Sequence, residues 1–175
     1  ALADRRRVEQ IVTTLAGNAC KFVPDGGRVE IAARLEGDVA ILVVRDDGPG
    51  IERPDRERIF RPFARLDGHE RVPGTGLGLA ISRDLARAMG GDIDVASVPG
   101  SGSSFVVGLP AAAEVGRAAV TTAIVTALDR EEAALEERAI LAAIRAGGRG
   151  PRAAEPPGRA GGATPRPEPP RVDAA

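Results

Sequence analysis

Three groups of residues in this chain have the types and spacing to do chemistry. Asn18 and Lys21 sit three apart in a helical stretch, with Thr14 one turn earlier. At 100° per residue the three fall within about 60° of one another, so an amide oxygen, an ammonium and a hydroxyl share one helix face. An Asn carboxamide oxygen can ligate Mg²⁺, which takes few protein ligands beside phosphate and water. Lys21 offers a point charge to phosphate oxygens. The second group is Arg45-Asp46-Asp47-Gly48-Pro49-Gly50-Ile51, directly after the most apolar run of the chain. Its alternate glycines let a flat ligand approach the backbone. Asp46 can accept the exocyclic amine of adenine, which guanine lacks at that edge. Taken alone, the same residues also read as a tight turn with a local Asx cap. The third group, Gly74-Thr75-Gly76-Leu77-Gly78-Leu79, opens a helix, where free amides and the dipole favour phosphate. No Gly-Lys-Ser/Thr follows, and neither a feeding strand nor a ribose-binding acid is found. The Walker and dinucleotide patterns are therefore excluded.

These groups need elements to hold them. Val8, Ile11, Val12, Leu15 and Ala19 form one apolar stripe, predicting a helix over 4–21 whose polar side carries Thr14, Asn18 and Lys21. Pro24 and Asp25-Gly26-Gly27 end it. Val29, Ile31, Ala33 and Leu35 alternate with Arg28, Glu30, Ala32 and Arg34, the period of a half-buried strand. Gly37-Asp38 makes a hairpin turn. Val39–Val44 is apolar throughout, predicting a central strand covered on both faces. Residues 52–73 lose periodicity and read as a long functional loop. A second helix follows, with Leu77, Ile81, Leu85 and Ala88 on one side, and stops at Gly90-Gly91. Asp92–Ser97 and Ser103–Leu109 predict a last hairpin around Pro99-Gly100-Ser101-Gly102.

After Pro110 the chain becomes alanine-rich. Asp129 and Glu132 resemble a capping box, but the apolar positions do not share a face, which predicts a weakly held helix. Residues 147–175 hold seven of the fourteen prolines and one large aliphatic, Val172, a composition that predicts a disordered segment, read first as an inert linker and alternatively as a basic or proline-rich docking tail. Of 175 residues, 24 are basic and 25 acidic, so no global field favours nucleic acid or an anionic membrane. The single Cys20 excludes an internal disulfide and fits a reducing compartment. No apolar run is long enough to span a bilayer, and no signal peptide is seen. The opening Ala-Leu-Ala predicts a piece of a longer protein. Arginine far outnumbers lysine and alanine is abundant, as coding bias produces.

The ordered series Asn18-Ala19-Cys20-Lys21-Phe22, Asp46-Asp47-Gly48-Pro49-Gly50, Phe60-Arg61-Pro62-Phe63 and Gly74-Thr75-Gly76-Leu77-Gly78-Leu79-Ala80-Ile81-Ser82 resembles the Asn, first glycine, Phe and second glycine boxes of sensor histidine kinases. Gly100–Phe105 and Leu109-Pro110 resemble the last hairpin of the same catalytic ATP-binding domain. The likeness covers residues 4–110. It implies the Bergerat fold of the GHKL superfamily: a two-layer α/β sandwich with a mixed sheet and helices on one face. It also implies a division into a 1–110 domain, a 111–146 extension and a 147–175 tail. Asn18 would hold Mg²⁺ and, with Lys21, serve catalysis on ATP. Thr14, Asn18, Lys21, Asp46, Gly48, Gly50, Ile51, Phe63, Gly74, Thr75, Gly76, Leu77, Gly78 and Leu79 would bind the nucleotide. Residues 52–73 would form an ATP lid anchored by Phe60 and Phe63.

The implied activity is transfer of the ATP γ-phosphoryl to a histidine on a dimerisation hairpin outside this stretch, in a homodimeric cytoplasmic kinase that passes it to a response regulator. Neither nucleic acid nor membrane contact is implied for this segment, any membrane anchor lying elsewhere. The family has a second Asn where this chain has Thr14, and a strand ahead of Asp4 that this stretch lacks. The one histidine, His69, falls inside the lid and reads as a solvated loop residue. Thr14 keeps open a degenerate, non-catalytic nucleotide module. A serine kinase of the anti-sigma-factor type is a further alternative, opposed by the Phe box.

Overall fold

The computed structural model describes residues 3–66, 74–112 and 114–145. Asp4 accepts a hydrogen bond from the Arg6 amide and caps helix α1, Arg5–Phe22, satisfying an orphan donor of the first turn. Strands β1, Val29–Glu36, and β2, Val39–Asp46, form the first hairpin. Two short 3₁₀ turns, Arg53–Asp55 and Arg58–Phe60, precede helix α2, Gly78–Ala88. Strands β3, Asp92–Val98, and β4, Gly102–Pro110, form the last hairpin, and helix α3, Arg117–Arg145, follows.

The sheet runs β1-β2-β4-β3, and every pair is antiparallel. β4 inserts between β2 and β3, so α2 bridges two strands of like direction with a third between them. A mixed sheet was the expectation; the described strands are antiparallel because each neighbouring pair is a hairpin or the β2–β4 match. β2 pairs on both sides and buries Ile41, Val43 and Val44 almost completely. β1 lies at the edge, and there the half-buried pattern inverts. Ile31 and Leu35 are 49% and 68% exposed, while Arg34 and Glu36 are half-buried. Val29 at the start of the strand still packs against the α1 core, while Ile31 and Leu35 farther along the edge face solvent.

One core lies between the sheet and α1 with α2. It joins Ile11, Leu15 and Ala19 to Val44, Ile93, Val95, Phe105 and Val107. α2 contributes Ala80, Ser82 and Ala86, while Ile81 is exposed. Leu85 of the expected side does pack against this core, but Ile81 and Ala88 face solvent, so the inward side is rotated toward Leu79, Ala86 and Met89.

A second core lies on the opposite face, where Val39, Ile41, Val43 and Val106 meet Val120, Ala123, Ile124 and Ala127 of α3. Helices therefore cover both faces, not one, and α3 is no loose appendage. Its buried positions 120, 123, 124, 127, 131 and 135 do share a face. Three alanines or polar residues stand among them, and exposed Val125, Ile140, Leu141 and Ile144 blur the stripe in sequence. Asp129 falls mid-helix, so its pairing with Glu132 is not a cap. Gly108 makes the fit possible: a Cβ there would lie 2.5 Å from Ile124 Cγ1. Polar contacts close the interface. Arg45 pairs bidentately with buried Glu131 at 2.6 and 2.7 Å and donates to Glu30 at 2.7 Å. His69 and residues 147–175 lie outside the described residues.

Candidate nucleotide site

The face of α1 away from the core, the end of β2 and the N-terminal end of α2 converge on two adjoining cavities. They share Asn18, Phe22, Ile59 and Leu79. The first is a mostly apolar slot between Ala19, Phe22, Ile51, Leu66, Leu79 and Phe105, with Asn18, Asp46 and Ser103 as its polar side chains. Asp46 is only 5% exposed at the last position of β2. Its carboxylate accepts the Gly48 amide at 2.8 Å and also the amide of Ser103, its register partner on β4. Burial pushes its pKa up, and these two backbone donors offset only part of that. One buried acceptor is thereby aimed along an apolar slot, which suits a flat heteroaromatic carrying an amine.

The turn after β2 needs its glycine. Gly50 has φ +76°, and a Cβ there would lie 2.4 Å from the Val98 carbonyl oxygen. The Ile51 amide next to it donates to Ser97 Oγ at 2.8 Å, tying this turn to β3.

The second cavity is polar. Thr13, Thr14, Asn18 and Lys21 face it from α1; Gly74, Thr75, Gly76 and Gly78 face it from the segment entering α2. Lys21 is exposed there, and Asn18 stands where the two cavities meet. Thr14 lies close to α2: a Cβ on Gly78 would be 2.9 Å from Thr14 Cγ2. The helix dipole of α2 directs its positive end into this cavity, beside Lys21.

Eleven of the sequence-derived residues line the two cavities: Thr14, Asn18, Lys21, Asp46, Gly50, Ile51, Gly74, Thr75, Gly76, Gly78 and Leu79. Gly48, Phe63 and Leu77 do not. Gly48 acts through its amide on Asp46, and Leu77 occupies the N-cap position of α2 without a side-chain capping bond. Phe63 is 72% exposed, so of the two expected lid anchors only Phe60 is buried. Phe60 meets the Phe105 ring edge-on at 6.4 Å, with the Arg83 guanidinium 4.6 Å over its face. Arg83 also holds Asp92 at 3.0 Å and Glu57 at 2.8 Å, which joins α2 to β3 and the lid segment. Phe63 turns outward at φ +61°, its amide donating to the Gly76 carbonyl at 2.9 Å. Sequence reasoning missed Phe22, Ile59, Leu66, Ser103 and Phe105 as lining residues. Ser103 and Phe105 had one available signal: they are two apart on a strand and so face the same side.

The comparisons with known proteins agree with this geometry. Residues 3–113 match the family model described as histidine kinase-, DNA gyrase B-, and HSP90-like ATPase. The histidine protein kinase DivJ of Caulobacter vibrioides is 44% identical over 109 residues, 62% of this chain and 18% of that protein. The sensor protein TorS of Escherichia coli is 40% identical over 109 residues, 62% of this chain and 12% of TorS. The chain therefore spans less than a fifth of these two relatives. Among solved structures, the mycobacterial sensor histidine kinase MprB superposes with a TM-score of 0.54 at 33% identity, covering 62% of this chain and 72% of that one. Full-length ShkA, solved in complex with AMPPNP, gives 0.53 at 39% identity, covering 59% of this chain and 21% of ShkA. The buried carboxylate, its apolar slot and the helix N-terminus they open onto all lie within the matched residues 3–113, and the chain belongs to the histidine kinase-, DNA gyrase B- and HSP90-like ATPase family as an ATP-binding domain of the sensor histidine kinase type.

Proposed function

We propose that this domain transfers the γ-phosphoryl group of ATP to a histidine nitrogen on a dimerisation hairpin outside the chain, as the catalytic part of a cytoplasmic, homodimeric two-component kinase serving a response regulator. The observation that carries the reading is Asp46. It is buried, fixed by two backbone donors and aimed into an apolar slot that continues into a cavity of cationic and amide character. Adenine fits the slot with its amine on Asp46, while the triphosphate runs toward Lys21 and the amides around Gly76 and Gly78. The AMPPNP held by ShkA supports the same ligand class.

Mg²⁺ fits the polar cavity. Among the described residues no cluster of three or more His, Cys, Asp or Glu could hold a metal, so the protein's own share would be small. An ion sharing Asn18 with phosphate and water matches Mg²⁺ habits. When bound, it would neutralise charge on the phosphates. Asn18 would orient that charge, Lys21 would face developing negative charge, and the α2 amides would hold the phosphate tail in line. Ile51, Phe22 and Leu79 would keep water off the base. The acceptor imidazole would enter from the open side of the polar cavity.

Calorimetric titration of the full chain tests this. Saturable binding of ATP, strengthened by Mg²⁺ and weaker for GTP, is expected. Asp46→Asn should weaken ATP about ten- to a hundredfold, the worth of one hydrogen bond to a charged group. Incubation with a histidine-bearing hairpin should then give acid-labile phosphate. A folded chain that binds no ATP would refute the catalytic reading. In favour of a non-catalytic nucleotide module stands one observation, Thr14, a hydroxyl beside the polar cavity where a second amide would be the better metal ligand.

A further inference from the structure

Helix α3 lies on the face of the sheet away from the nucleotide site, yet its second half reaches around to the residues that shape it. Glu132 Oε1 is 3.0 Å from Arg56 Nη1. Arg56 belongs to the first lid segment, and its Nη2 donates to the Ser97 carbonyl on β3. The arginine side chain is 19% exposed, and its Nε is buried with no hydrogen-bond partner among the described residues. Such a cation is poorly solvated and depends on Glu132 for its charge balance.

Ser97 is fully buried and carries the contact onward. Its Oγ accepts the Ile51 amide at 2.8 Å, donates to the Gly102 carbonyl at 2.8 Å and lies 3.0 Å from Ser103 Oγ. With its single proton committed to Gly102, it receives the Ser103 hydroxyl. Ser103 in turn stands opposite Asp46 as its register partner on β4. Glu132 therefore connects, through Arg56 and Ser97, to Ile51 on one wall of the slot and to the acceptor at its floor. A second strut runs beside it, where Arg138 of α3 pairs with Asp47, the neighbour of Asp46.

We infer that Glu132 and Arg56 are positioning residues of the nucleotide slot, through which docking of α3 sets the affinity for ATP. The inference rests on the nucleotide reading given above. Neither residue lines the cavities, so any effect on ligand must pass through Ser97 and Ile51. Both groups have discrete partners on separate elements, and coupling of this kind is commonly worth a few-fold to tenfold in affinity.

Charge exchange in the full chain tests it. Glu132→Arg and Arg56→Glu should each weaken Mg-ATP about fivefold by calorimetry, on the usual scale of such coupling. Because Arg56→Glu also removes the donor to the Ser97 carbonyl, the double exchange restores the ion pair but not the strut, and its affinity should stay as low as that of Arg56→Glu alone. Hydrogen exchange of the Ile51 amide in the ligand-free protein is the companion readout. It should quicken in each single variant and stay quick in the double, while core amides such as Val106 stay protected. If Glu132→Arg fails to fold, Glu132→Gln replaces it, with a smaller loss of the same sign. A lowered Tm with unchanged ATP affinity and unchanged Ile51 exchange would overturn the inference and leave α3 a structural cover. Should the unaltered chain bind no ATP, the nucleotide reading falls, and Ile51 exchange decides the strut by itself.

Discussion

Asp46, the residue proposed to take the adenine amine, carries a burial cost for the fold. Its carboxyl titrates above the usual aspartate range because burial penalises the charge more than its backbone donors repay. A carboxyl raised in the folded state lends stability in its neutral form, present below the ordinary aspartate pKa and lost as pH rises through the raised one. Asp46→Asn keeps an acceptor oxygen for the Gly48 amide but removes the charge. The variant should therefore melt higher than the parent at pH 7 while losing ATP, and the margin in Tm should shrink as pH is lowered. A variant that melts lower at pH 7 would contradict the burial argument. At Thr14, exchange to Asn supplies a second amide oxygen to the polar cavity. Mg-ATP affinity should rise severalfold, and calorimetry with and without Mg²⁺ would separate a metal effect from a steric one against Gly78.

Among the elements, α3 changes the character of the domain most. Its apolar seam of Val120, Ala123, Ile124 and Ala127 closes on β2 and β4, and Gly108 gives it room. Gly108→Val would put a branched side chain into Ile124, and overpacking of this kind costs about 1–3 kcal/mol. Denaturant titration should show that loss, with the α1 and α2 face retaining Phe60 and Phe105 in contact. Glu131→Ala removes the bidentate partner of Arg45 in a site where Glu131 is 2% exposed. Breaking one side of a buried pair costs about 3 kcal/mol. If the midpoint instead stayed put, the pair would contribute specificity rather than stability.

Across the whole molecule, acid should attack the interfaces before the cores. Burial alone would raise Glu131, Glu36 and Asp92, but their arginine partners outweigh it and hold all three below the ordinary carboxylate range. Depressed carboxyls lend stability that is present above their unfolded pKa and lost as pH falls through the folded one. Two of the three, Glu131 and Glu36, join α3 to the sheet through Arg45 and Arg130. Unfolding free energy should therefore decline from about pH 4 downward, the usual carboxylate range. Arg45→Met with Glu131→Leu should flatten that decline. Among the described residues no helix is long and apolar enough to cross a membrane.

Much of this was legible in one dimension. The stripe on α1, the two hairpins and the doubly buried β2 follow from local periodicity, and the ordered glycine and Asn groups follow from chemistry that works over a few residues. What the chain could not disclose depends on distant partners. Arg45 meets Glu131 86 residues on, Arg56 meets Glu132 76 residues on, and Arg138 meets Asp47 across 91. Such pairs leave no periodic trace, since each member alone reads as a solvated charge. The two phenylalanines of the lid look equivalent in sequence, yet only one finds a ring and a guanidinium to pack against. The sequence by itself determined the kind of site this chain builds. Tertiary structure decided that a glycine-sized gap on β4 would seat α3, because burial and charge pairing are properties of the assembled faces rather than of any segment.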